Sequence, residues 1–350
     1  MTDLPPGGEK LFVVTTQKDY SFVQIPQLID KESKSLAGPF KYSLDEKNIC
    51  VLDIGRYCLD DGQWQQQREI LKIDHHVRQR LGLPYRSGEM LQPWYKKKFG
   101  YSAKQTHKLK ICFEFSIETL PSTPVELAIE TPQAFNVLVN DHTLDLSHDN
   151  GWWIDSCFRR FGLPDGVLEK GLNIITLTTD FSESINLEAI YLLGEFGVRV
   201  EGSQKTLTAL PEKLIPSDLV GQGLPFYTGK VTYEIGELQA CEDDQRMFIE
   251  LSAFEAACML VKSGSGKRTI AFNPYQADIT DLVGPNGKLT LECVLTRRNT
   301  FGPLHQVPLD TPWYGPENFV SEGSEFTDGY MLYKSGLLSE PKIILKDRKK

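Results

Sequence analysis

The stretch from Gly221 to His305 decides the fold, and three of its segments carry the argument. They are Gly-Leu-Pro-Phe-Tyr-Thr-Gly-Lys-Val-Thr-Tyr-Glu at 223–234, Phe-Asn-Pro-Tyr-Gln-Ala-Asp-Ile-Thr-Asp-Leu at 272–282, and Arg-Arg-Asn-Thr-Phe-Gly-Pro-Leu-His at 297–305. Between the last two, polar and apolar residues alternate from Lys288 to Cys293. A period of two is typical of a strand with one buried face. The stretch therefore predicts a β-structure whose strands are joined by ordered loops.

The same alternation recurs in the first half of the chain. From Lys108 to Glu118 every second residue is apolar, which predicts a strand with one solvated face. Further short strands are expected at 127–129, 136–140 and 174–177, separated by proline and glycine turns. Several short strands at such spacing predict an all-β sandwich.

One helix is expected in this otherwise β-rich pattern. Residues 48–59 read as a strand that ends at Asp60-Asp61-Gly62, a sequence typical of a turn. From Gln65 to Leu81 the apolar residues then fall at near-helical spacing, which predicts an amphipathic helix. The helix should stop at Leu83-Pro84, because a residue before proline disfavours the helical conformation.

The length of 350 residues allows two domains, each with its own core. The first 44 residues contain too few apolar side chains to bury a core alone, so they are expected to pack on a neighbour. The predicted organisation is a leader at 1–44, a first β-sandwich at 45–200 with its helix near 65–81, a linker at 201–216, and a second β-sandwich with a C-terminal tail at 217–350.

Composition excludes several classes of function. The formal net charge of −9 disfavours binding to nucleic acid or to anionic lipid. No apolar run reaches the roughly 18 to 20 residues that span a bilayer. The first thirty residues lack the pattern of a secretory signal, and the seven cysteines show no C-x-x-C spacing. A cytoplasmic protein with free thiols is expected.

The three segments quoted above resemble the galactose-binding-like jelly-roll domains of large bacterial glycoside hydrolases, namely the family 2 and α-L-rhamnosidase-like enzymes. The first half resembles the sandwich that precedes that domain. The matching segments there lie at 50–57, 88–94, 151–155 and 186–198. The resemblance covers residues from about 45 to 335. It implies an all-β fold of two tandem jelly-roll β-sandwiches with a short helical insert.

The chain departs from the resembled enzymes in one large respect. In those enzymes a catalytic (β/α)₈ barrel lies on the N-terminal side of the sandwiches, whereas this chain is expected to begin after the point where a barrel would end. No βα-repeat of roughly 200 residues is present. The resemblance therefore implies a non-catalytic carbohydrate-binding or accessory region. Its expected partners are a mono- or oligosaccharide and a catalytic glycosidase subunit.

Candidate sugar-binding residues follow from the chemistry of a pyranose. Its apolar face stacks on an aromatic ring, and its hydroxyl groups bond to polar side chains. In an extended segment one of two adjacent tryptophans points outward and could stack on a sugar, although both could instead be buried. The loop that follows 299 could contact a ligand or merely tie two domains together. The candidates are Trp152, Trp153, Phe226, Tyr227, Tyr275, Arg298, Asn299, His305, Trp313 and Tyr314.

The sequence contains few residues that point to metal binding or hydrolysis. Asp141, Asp145 and Asp149 are candidate ligands for a structural calcium ion, and no other cofactor is expected. Hydrolysis needs two placed carboxylates, and no pair stands out, because Asp278 and Asp281 fit a helical turn that they cap. We assign no catalytic residue from sequence. Two alternatives stay open: hydrolysis at a carboxylate site between the domains, or a purely structural brace for a separate catalytic subunit.

Overall fold

The computed structural model describes residues 27–85, 105–264, 266–283, 288–307 and 318–348, together with Thr16, Lys98, Gly100 and Gly315. Within these ranges the regular structure is mostly β-strand, which confirms the all-β prediction. The α-helices bounded there are α1 (Ile70–Leu81) and α2 (Arg298–Phe301), and two 3₁₀ helices span Pro132–Ala134 and Leu219–Gln222. No helix in the described ranges is long and apolar enough to cross a lipid bilayer.

The strands are β1 Leu28–Ser35, β2 Lys41–Leu44, β3 Asn48–Leu52, β4 Ile54–Leu59, β5 Arg68–Glu69, β6 His107–Ile117, β7 Glu126–Glu130, β8 Asn136–Val139, β9 His142–Thr143, β10 Trp152–Trp153, β11 Asp155–Gly162, β12 Gly171–Phe181, β13 Ile190–Gly194, β14 Gly197–Glu201, β15 Gln204–Thr208, β16 Lys230–Glu237, β17 Gln245–Glu250, β18 Phe254–Glu255, β19 Cys258–Ser263, β20 Gly266–Ile270, β21 Gln276–Asp278, β22 Lys288–Val294, β23 Gly336–Leu337 and β24 Lys342–Arg348.

The first unit, residues 48–208, consists of two sheets that share one hydrophobic core. Sheet I has the strand order β10-β11-β7-β13-β3. Sheet II has the order β14-β15-β6-β12-β8-β9, with β4 also paired to β6 and β5 paired to β4. Buried apolar residues of both sheets and of α1 form one contiguous cluster. Burial of the apolar faces of the two sheets therefore stabilises this unit.

Strand β6 shows how the alternating sequence produces the first unit. The residues at its apolar positions are all buried, with exposed fractions of 2% or less: Leu109, Ile111, Phe113, Phe115 and Ile117. β12 pairs with β6 in one continuous antiparallel register, from Gly171 opposite Ile117 to Phe181 opposite His107. The predicted buried face of this strand is confirmed.

The second unit joins residues 28–44 to residues 210–348 and encloses a separate core. Sheet III has the order β1-β24-β17-β21, sheet IV has the order β2-β16-β22-β19-β20, and β18 pairs with β23. β1 pairs with β24 along its whole length, and β2 pairs with β16. The described part of the predicted leader thus supplies two strands to the second unit, and the first unit is inserted between them and β16. The predicted linker at 201–216 likewise contains β15, which belongs to sheet II.

The predicted helix is present but shorter than its sequence pattern. It begins at Ile70 rather than at Gln65, because Glu69 pairs with β4 as part of β5 before the helix starts. It ends at Leu81, where Gly82 takes a left-handed conformation with φ of 65° and caps the last turn. The helix starts directly beside the first residue of β4, because Glu69 pairs with Ile54.

After β22 the chain leaves the second unit and lies over the first. We call the described residues 298–307 and 318–333 the cap segment. At its base the Arg297 guanidinium donates two hydrogen bonds to the Glu46 carboxylate, of 2.7 and 2.5 Å. Further along, Leu304 is buried in the core of the first unit. The cap segment is thus anchored at its base to the connection between β2 and β3, and further along to the first unit.

Candidate functional site

A cavity of about 600 Å³ lies between the first unit and the cap segment. Its first-unit side comes from the junction of β3 and β4, the first turns of α1, and residues of β11 and β13. The polar side chains that line it are Asp53, Glu69, Asp74, His75, Glu188, Thr300 and His305, and the aromatic ones are Phe158, Tyr191, Phe301 and Phe319. We take this cavity as the candidate site because it combines apolar walls with convergent polar groups.

Asp53 lies where the chain passes from sheet I to sheet II. The sequence predicts one strand over 48–59, but the strand breaks at Asp53, which separates β3 from β4. The carboxylate is only 4% exposed and has three partners. The Tyr330 hydroxyl donates to Oδ1, His305 Nε2 lies 3.2 Å from Oδ2, and the Lys205 ammonium lies 4.0 Å from Oδ1. Asp53 therefore joins the first unit to the cap segment.

The surroundings of His305 require both ring nitrogens to carry protons. Nδ1 lies 3.1 Å from the carbonyl oxygens of both Thr327 and Gly329, and Nε2 faces the Asp53 carboxylate. With Asp53 ionised, all three neighbours are acceptors, so in that state both nitrogens donate and the ring is an imidazolium. Burial lowers the pKa of His305, but the hydrogen bond and charge of Asp53 outweigh it, and the net pKa is raised.

The same contacts keep Asp53 ionised. Burial alone would raise the pKa of its carboxyl group. The hydrogen bond from His305 and the charges of His305 and Lys205 lower the pKa by more than burial raises it, so the net pKa lies below the usual value. Lys205 is 2% exposed, and it also donates a hydrogen bond of 2.9 Å to the Tyr330 hydroxyl. A buried anion and two buried cations therefore form one group at the cavity wall, in which Asp53 and His305 line the cavity and Lys205 lies behind them.

Glu69 is a second buried carboxyl group beside Asp53, since its residue pairs with Ile54 in the β4–β5 ladder. It is the N-cap of α1: Oε1 accepts from the Leu71 amide at 2.9 Å and Oε2 from the Lys72 amide at 3.0 Å. Burial raises the pKa of Glu69 to about 7, against the effect of these two amides. The site thus contains one carboxyl group held ionised and one that titrates near neutrality.

These shifts set the pH dependence of stability. The pKa of Glu69 is raised on folding from 4.5 to about 7, so its contribution is fully present below pH 4.5 and is lost as pH rises through 7. The raised pKa of His305 acts in the same direction above pH 6.5. The lowered pKa of Asp53 acts in the opposite direction, and its contribution is lost as pH falls below 3.8. Stability should therefore be greatest in mildly acidic solution.

Glu69→Gln is expected to remove the largest part of the fall in stability that the wild-type protein shows above pH 5. The pKa shift of Glu69 corresponds to ~3 kcal/mol. The free energy of unfolding of the variant, relative to that of the wild type, should therefore rise by this amount between pH 4.5 and 8. Urea unfolding at several pH values measures it. Glu169→Gln, at an exposed glutamate, is the matched control and should follow the wild-type curve. Parallel curves for wild type and Glu69→Gln would show that Glu69 ionises freely.

Asp74 lines the cavity and has one carboxylate oxygen that is fully buried and has no hydrogen-bond partner in the described part of the chain. Its side chain is 1% exposed, and Oδ2 accepts a hydrogen bond of 2.8 Å from Nε of Arg78, one turn later in α1. Arg78 is also buried and donates to the carbonyl oxygens of Ile185 at 2.7 Å and of Glu183 at 3.4 Å. In the part of the chain that the structure describes, no donor reaches Oδ1 of Asp74.

An aromatic cluster forms another part of the cavity wall. Phe301, on α2, stacks against Phe158 with ring centroids 5.7 Å apart and meets Tyr191 at the same distance. Trp153 contacts all three of these rings at centroid distances of 5.0 to 5.7 Å and is 8% exposed. The cluster joins sheet I to the cap segment, and three of its rings line the cavity.

The predicted aromatic candidates separate into exposed and buried residues. Trp152 is 58% exposed beside the buried Trp153, so the two side chains point in opposite directions. Tyr275 is 38% exposed and packs edge-on against Phe254. Trp313 and Tyr314 lie outside the described residues.

Phe226 and Tyr227 differ from the expectation that they lie in ligand-binding loops. Both are fully buried, Phe226 against Tyr330 and Tyr227 with its hydroxyl donating to the Lys230 carbonyl at 2.8 Å. Neither ring offers a surface to a ligand in this structure, because both pack into the cores at the junction of the units.

The polar candidates lie at the cap segment. The Asn299 amide group donates to the Tyr333 carbonyl at 2.7 Å and accepts from the Tyr333 amide at 3.0 Å, which fixes the segment to itself. The Arg298 guanidinium lies over the Tyr333 ring at 4.7 Å. Of the predicted polar residues, His305 lines the cavity.

The three candidate calcium ligands are exposed, and two of them are engaged locally. Asp145 accepts from the Ser147 amide at 2.8 Å, and Asp149 from the Gly151 amide and from Arg159. In the described ranges no group of three or more histidine, cysteine, aspartate or glutamate side chains is arranged to hold a metal ion. The set Asp141, Asp145 and Asp149 is therefore not brought together as a site.

No protein-family model matches this chain, and a search of curated proteins finds no match. Among solved structures the chain is similar to a rhamnosidase from Novosphingobium sp. PP1Y, with 13% identity and a TM-score of 0.28, over 70% of this chain and 23% of that chain. It is also similar to a xanthan lyase from Paenibacillus, with 9% identity and a TM-score of 0.17, over 68% of this chain and 23% of that chain. The chain spans less than a quarter of the length of either protein. A likeness of this strength carries no argument about ligand or activity.

Proposed function

We propose that this protein binds a carbohydrate, without cleaving it, in the cavity between the first unit and the cap segment. The observation that carries the proposal is an aromatic wall of Phe158, Tyr191 and Phe301 in a cavity that also presents buried carboxyl and imidazole groups. A pyranose ring has an apolar face that suits such a wall and hydroxyl groups that suit such polar side chains. The pairing of both in one cavity favours a sugar over a purely apolar ligand.

The size and rigidity of the cavity support the same conclusion. Its volume of about 600 Å³ falls within the ~300–1,000 Å³ typical of small-molecule sites. Asp53 and Glu69 are fixed by protein partners on both carboxylate oxygens, so little side-chain freedom would be lost on binding. The polar groups of the cavity are therefore preorganised for ligand binding.

We extend the proposal to an accessory role beside a catalytic glycosidase subunit. The sequence resemblance to the jelly-roll regions of bacterial glycoside hydrolases supports this role. On the same ground we propose that both units have the galactose-binding-like jelly-roll fold. The exposed rings of Trp152 and Tyr275 are the proposed contacts for a longer oligosaccharide outside the cavity.

Calorimetric titration with a panel of mono- and oligosaccharides tests the proposal. Binding with a Kd of millimolar or tighter is expected. Phe301→Ala should weaken it about tenfold, because an aromatic contact contributes ~0.5–1.5 kcal/mol beyond the area that it buries. Phe272→Ala is the matched control, since Phe272 is 65% exposed and does not line the cavity.

Near-UV circular dichroism of both variants separates loss of binding from loss of fold. Absence of binding to every sugar by the folded wild type would contradict the proposal. In that case co-purification with a larger glycosidase would favour the structural brace instead.

One observation favours hydrolysis as a second candidate function. The ionised Asp53 beside Glu69, whose pKa is about 7, resembles the division between a base or nucleophile and a general acid. Against this, the oxygens of both groups are engaged by the protein. Release of nitrophenol from aryl glycosides, abolished by Glu69→Gln, would overturn the non-catalytic proposal.

A further inference from the structure

Helix α1 has a second polar face, which does not line the cavity. His76 and Arg80 are one turn apart in α1, so their side chains are neighbours on one side of the helix. At about 100° per residue, this side points away from the cavity-lining positions Ile70, Leu71 and Asp74. His76 is half-buried and Arg80 is exposed, so both are accessible from solvent.

Two residues of the β4–β5 ladder approach this face of the helix. The Tyr57 hydroxyl and Nδ1 of His76 form a hydrogen bond with each other. Arg68 pairs with Gly55, two residues before Tyr57, so Arg68 and Tyr57 are diagonal neighbours on one face of the ladder. Nε of Arg68 is fully buried, which holds its guanidinium against the protein. We call these four side chains the basic cluster: Tyr57, Arg68, His76 and Arg80.

The positive charge of the basic cluster is not offset by a described carboxylate. Arginines elsewhere in the described ranges commonly pair with one, as Arg56 does with Glu114, but none of the ion pairs found there involves Arg68 or Arg80. Burial lowers the pKa of His76, and the charges of Arg68 and Arg80 lower it further, so the imidazole is neutral near pH 7. Adjacent cations without a counter-ion, in a chain with a formal net charge of −9, favour an anionic ligand.

We propose that the basic cluster binds a tetrahedral oxyanion, a phosphate or sulfate group, through the guanidinium groups of Arg68 and Arg80 and Nε2 of His76. A guanidinium presents paired N–H donors that match two oxygens of such a group. When the Tyr57 hydroxyl donates to Nδ1, the neutral imidazole carries its proton on Nε2 and is a third donor. A doubly charged tetrahedral group can accept from all three, whereas a carboxylate has one charge and two oxygens. This site is separate from the cavity and does not depend on the proposed carbohydrate binding.

Calorimetric titration of the whole chain at pH 7.5 and low ionic strength tests the proposal. Inorganic phosphate, sulfate and acetate are titrated separately. Phosphate and sulfate should bind with a Kd of millimolar or tighter, and about tenfold more tightly than acetate. Glucose 6-phosphate distinguishes the source of the group: binding at least as tight as that of inorganic phosphate indicates a phosphate ester, and weaker binding indicates the free anion.

Substitutions assign the binding to the basic cluster. Arg80→Gln and Arg68→Gln should each weaken phosphate binding about tenfold, because each removes a charged donor. Arg199→Gln is the matched control. It removes the same charge at an exposed arginine of β14 that already pairs with Glu118, and phosphate affinity should stay within about twofold of the wild type.

Near-UV circular dichroism checks the fold of each variant, and the exposed Arg80 decides the question if Arg68→Gln fails to fold. Phosphate that binds no more tightly than acetate, or an equal loss of affinity in Arg199→Gln, would overturn the inference. Arg80 would then act only on the C-terminus of α1, where a cation is favourable. Sugar binding in the cavity should be unchanged in Arg80→Gln, so this inference can fail while carbohydrate binding stands.

Discussion

Asp53→Asn is expected to lower the free energy of unfolding by ~3–5 kcal/mol, the range typical of removing one partner from a buried ion pair. The substitution leaves the His305 imidazolium and the Lys205 ammonium buried without their counter-ion. Both are almost inaccessible to solvent, with exposed fractions of 6% and 2%. Guanidinium unfolding at pH 6, followed by far-UV circular dichroism, measures the change.

The pH dependence of the loss tests its electrostatic origin. Without Asp53, burial lowers the pKa of both cations on folding, so the penalty is full below the lowered folded-state pKa of each and disappears as pH rises to its unfolded value. The deficit of Asp53→Asn should therefore be larger at pH 5 than at pH 8. Asp141→Asn, at an exposed aspartate in a turn, is the control and should change stability by less than about 0.5 kcal/mol. A deficit independent of pH would show that Asp53 acts by packing alone.

Local patterns were sufficient to predict the elements whose structure depends on burial along one strand or one helix. The apolar positions of 108–118 alternate because one face of β6 is buried, and every one of them is inaccessible. The end of α1 was likewise predictable, because Gly82 and Pro84 act on the backbone directly. Its start was not, because Glu69 pairs with Ile54 of β4, fifteen residues earlier.

Strand β1, in the described part of the leader, was not predicted from the sequence for a related reason. β1 is an edge strand, and every residue in it after Leu28 is exposed. Edge strands often carry charged residues because these discourage pairing with other chains, so their composition resembles that of a loop. Pairing with β24, more than three hundred residues later, leaves no signal in residues 28–35 themselves.

Sequence patterns did not predict most residues of the candidate site. Of its polar residues, His305 was singled out for its donor chemistry, whereas Asp53 and Asp74 were not. Asp53 could have been noticed as a charged residue within the apolar run Cys-Val-Leu-Asp-Ile at 50–54, where a carboxylate needs a buried partner. Two of its three partners are 252 and 277 residues away, on the cap segment, and only the folded chain brings them together.

Arg78→Met is expected to lower the free energy of unfolding by ~3–5 kcal/mol, as for removal of one partner of a buried ion pair. Methionine keeps an unbranched apolar stem, so packing in the core of the first unit changes little. The variant leaves the Asp74 carboxylate buried without a counter-ion, and it removes the donor from the Ile185 carbonyl. Guanidinium unfolding at pH 6 measures the loss. Arg80→Met, at an exposed arginine in the same turn of α1, is the control and should change stability by less than about 0.5 kcal/mol.

The double variant Asp74→Asn with Arg78→Met separates the two sources of that loss. Neutralising both partners removes the unpaired charge, so stability should recover by ~1–3 kcal/mol relative to Arg78→Met alone. The part that is not recovered measures the hydrogen bonds by which Arg78 ties α1 to the carbonyls of Glu183 and Ile185. No recovery at all would contradict the buried ion pair. It would show that Arg78 stabilises the first unit only through these backbone contacts, and that Asp74 carries no charge in the cavity wall.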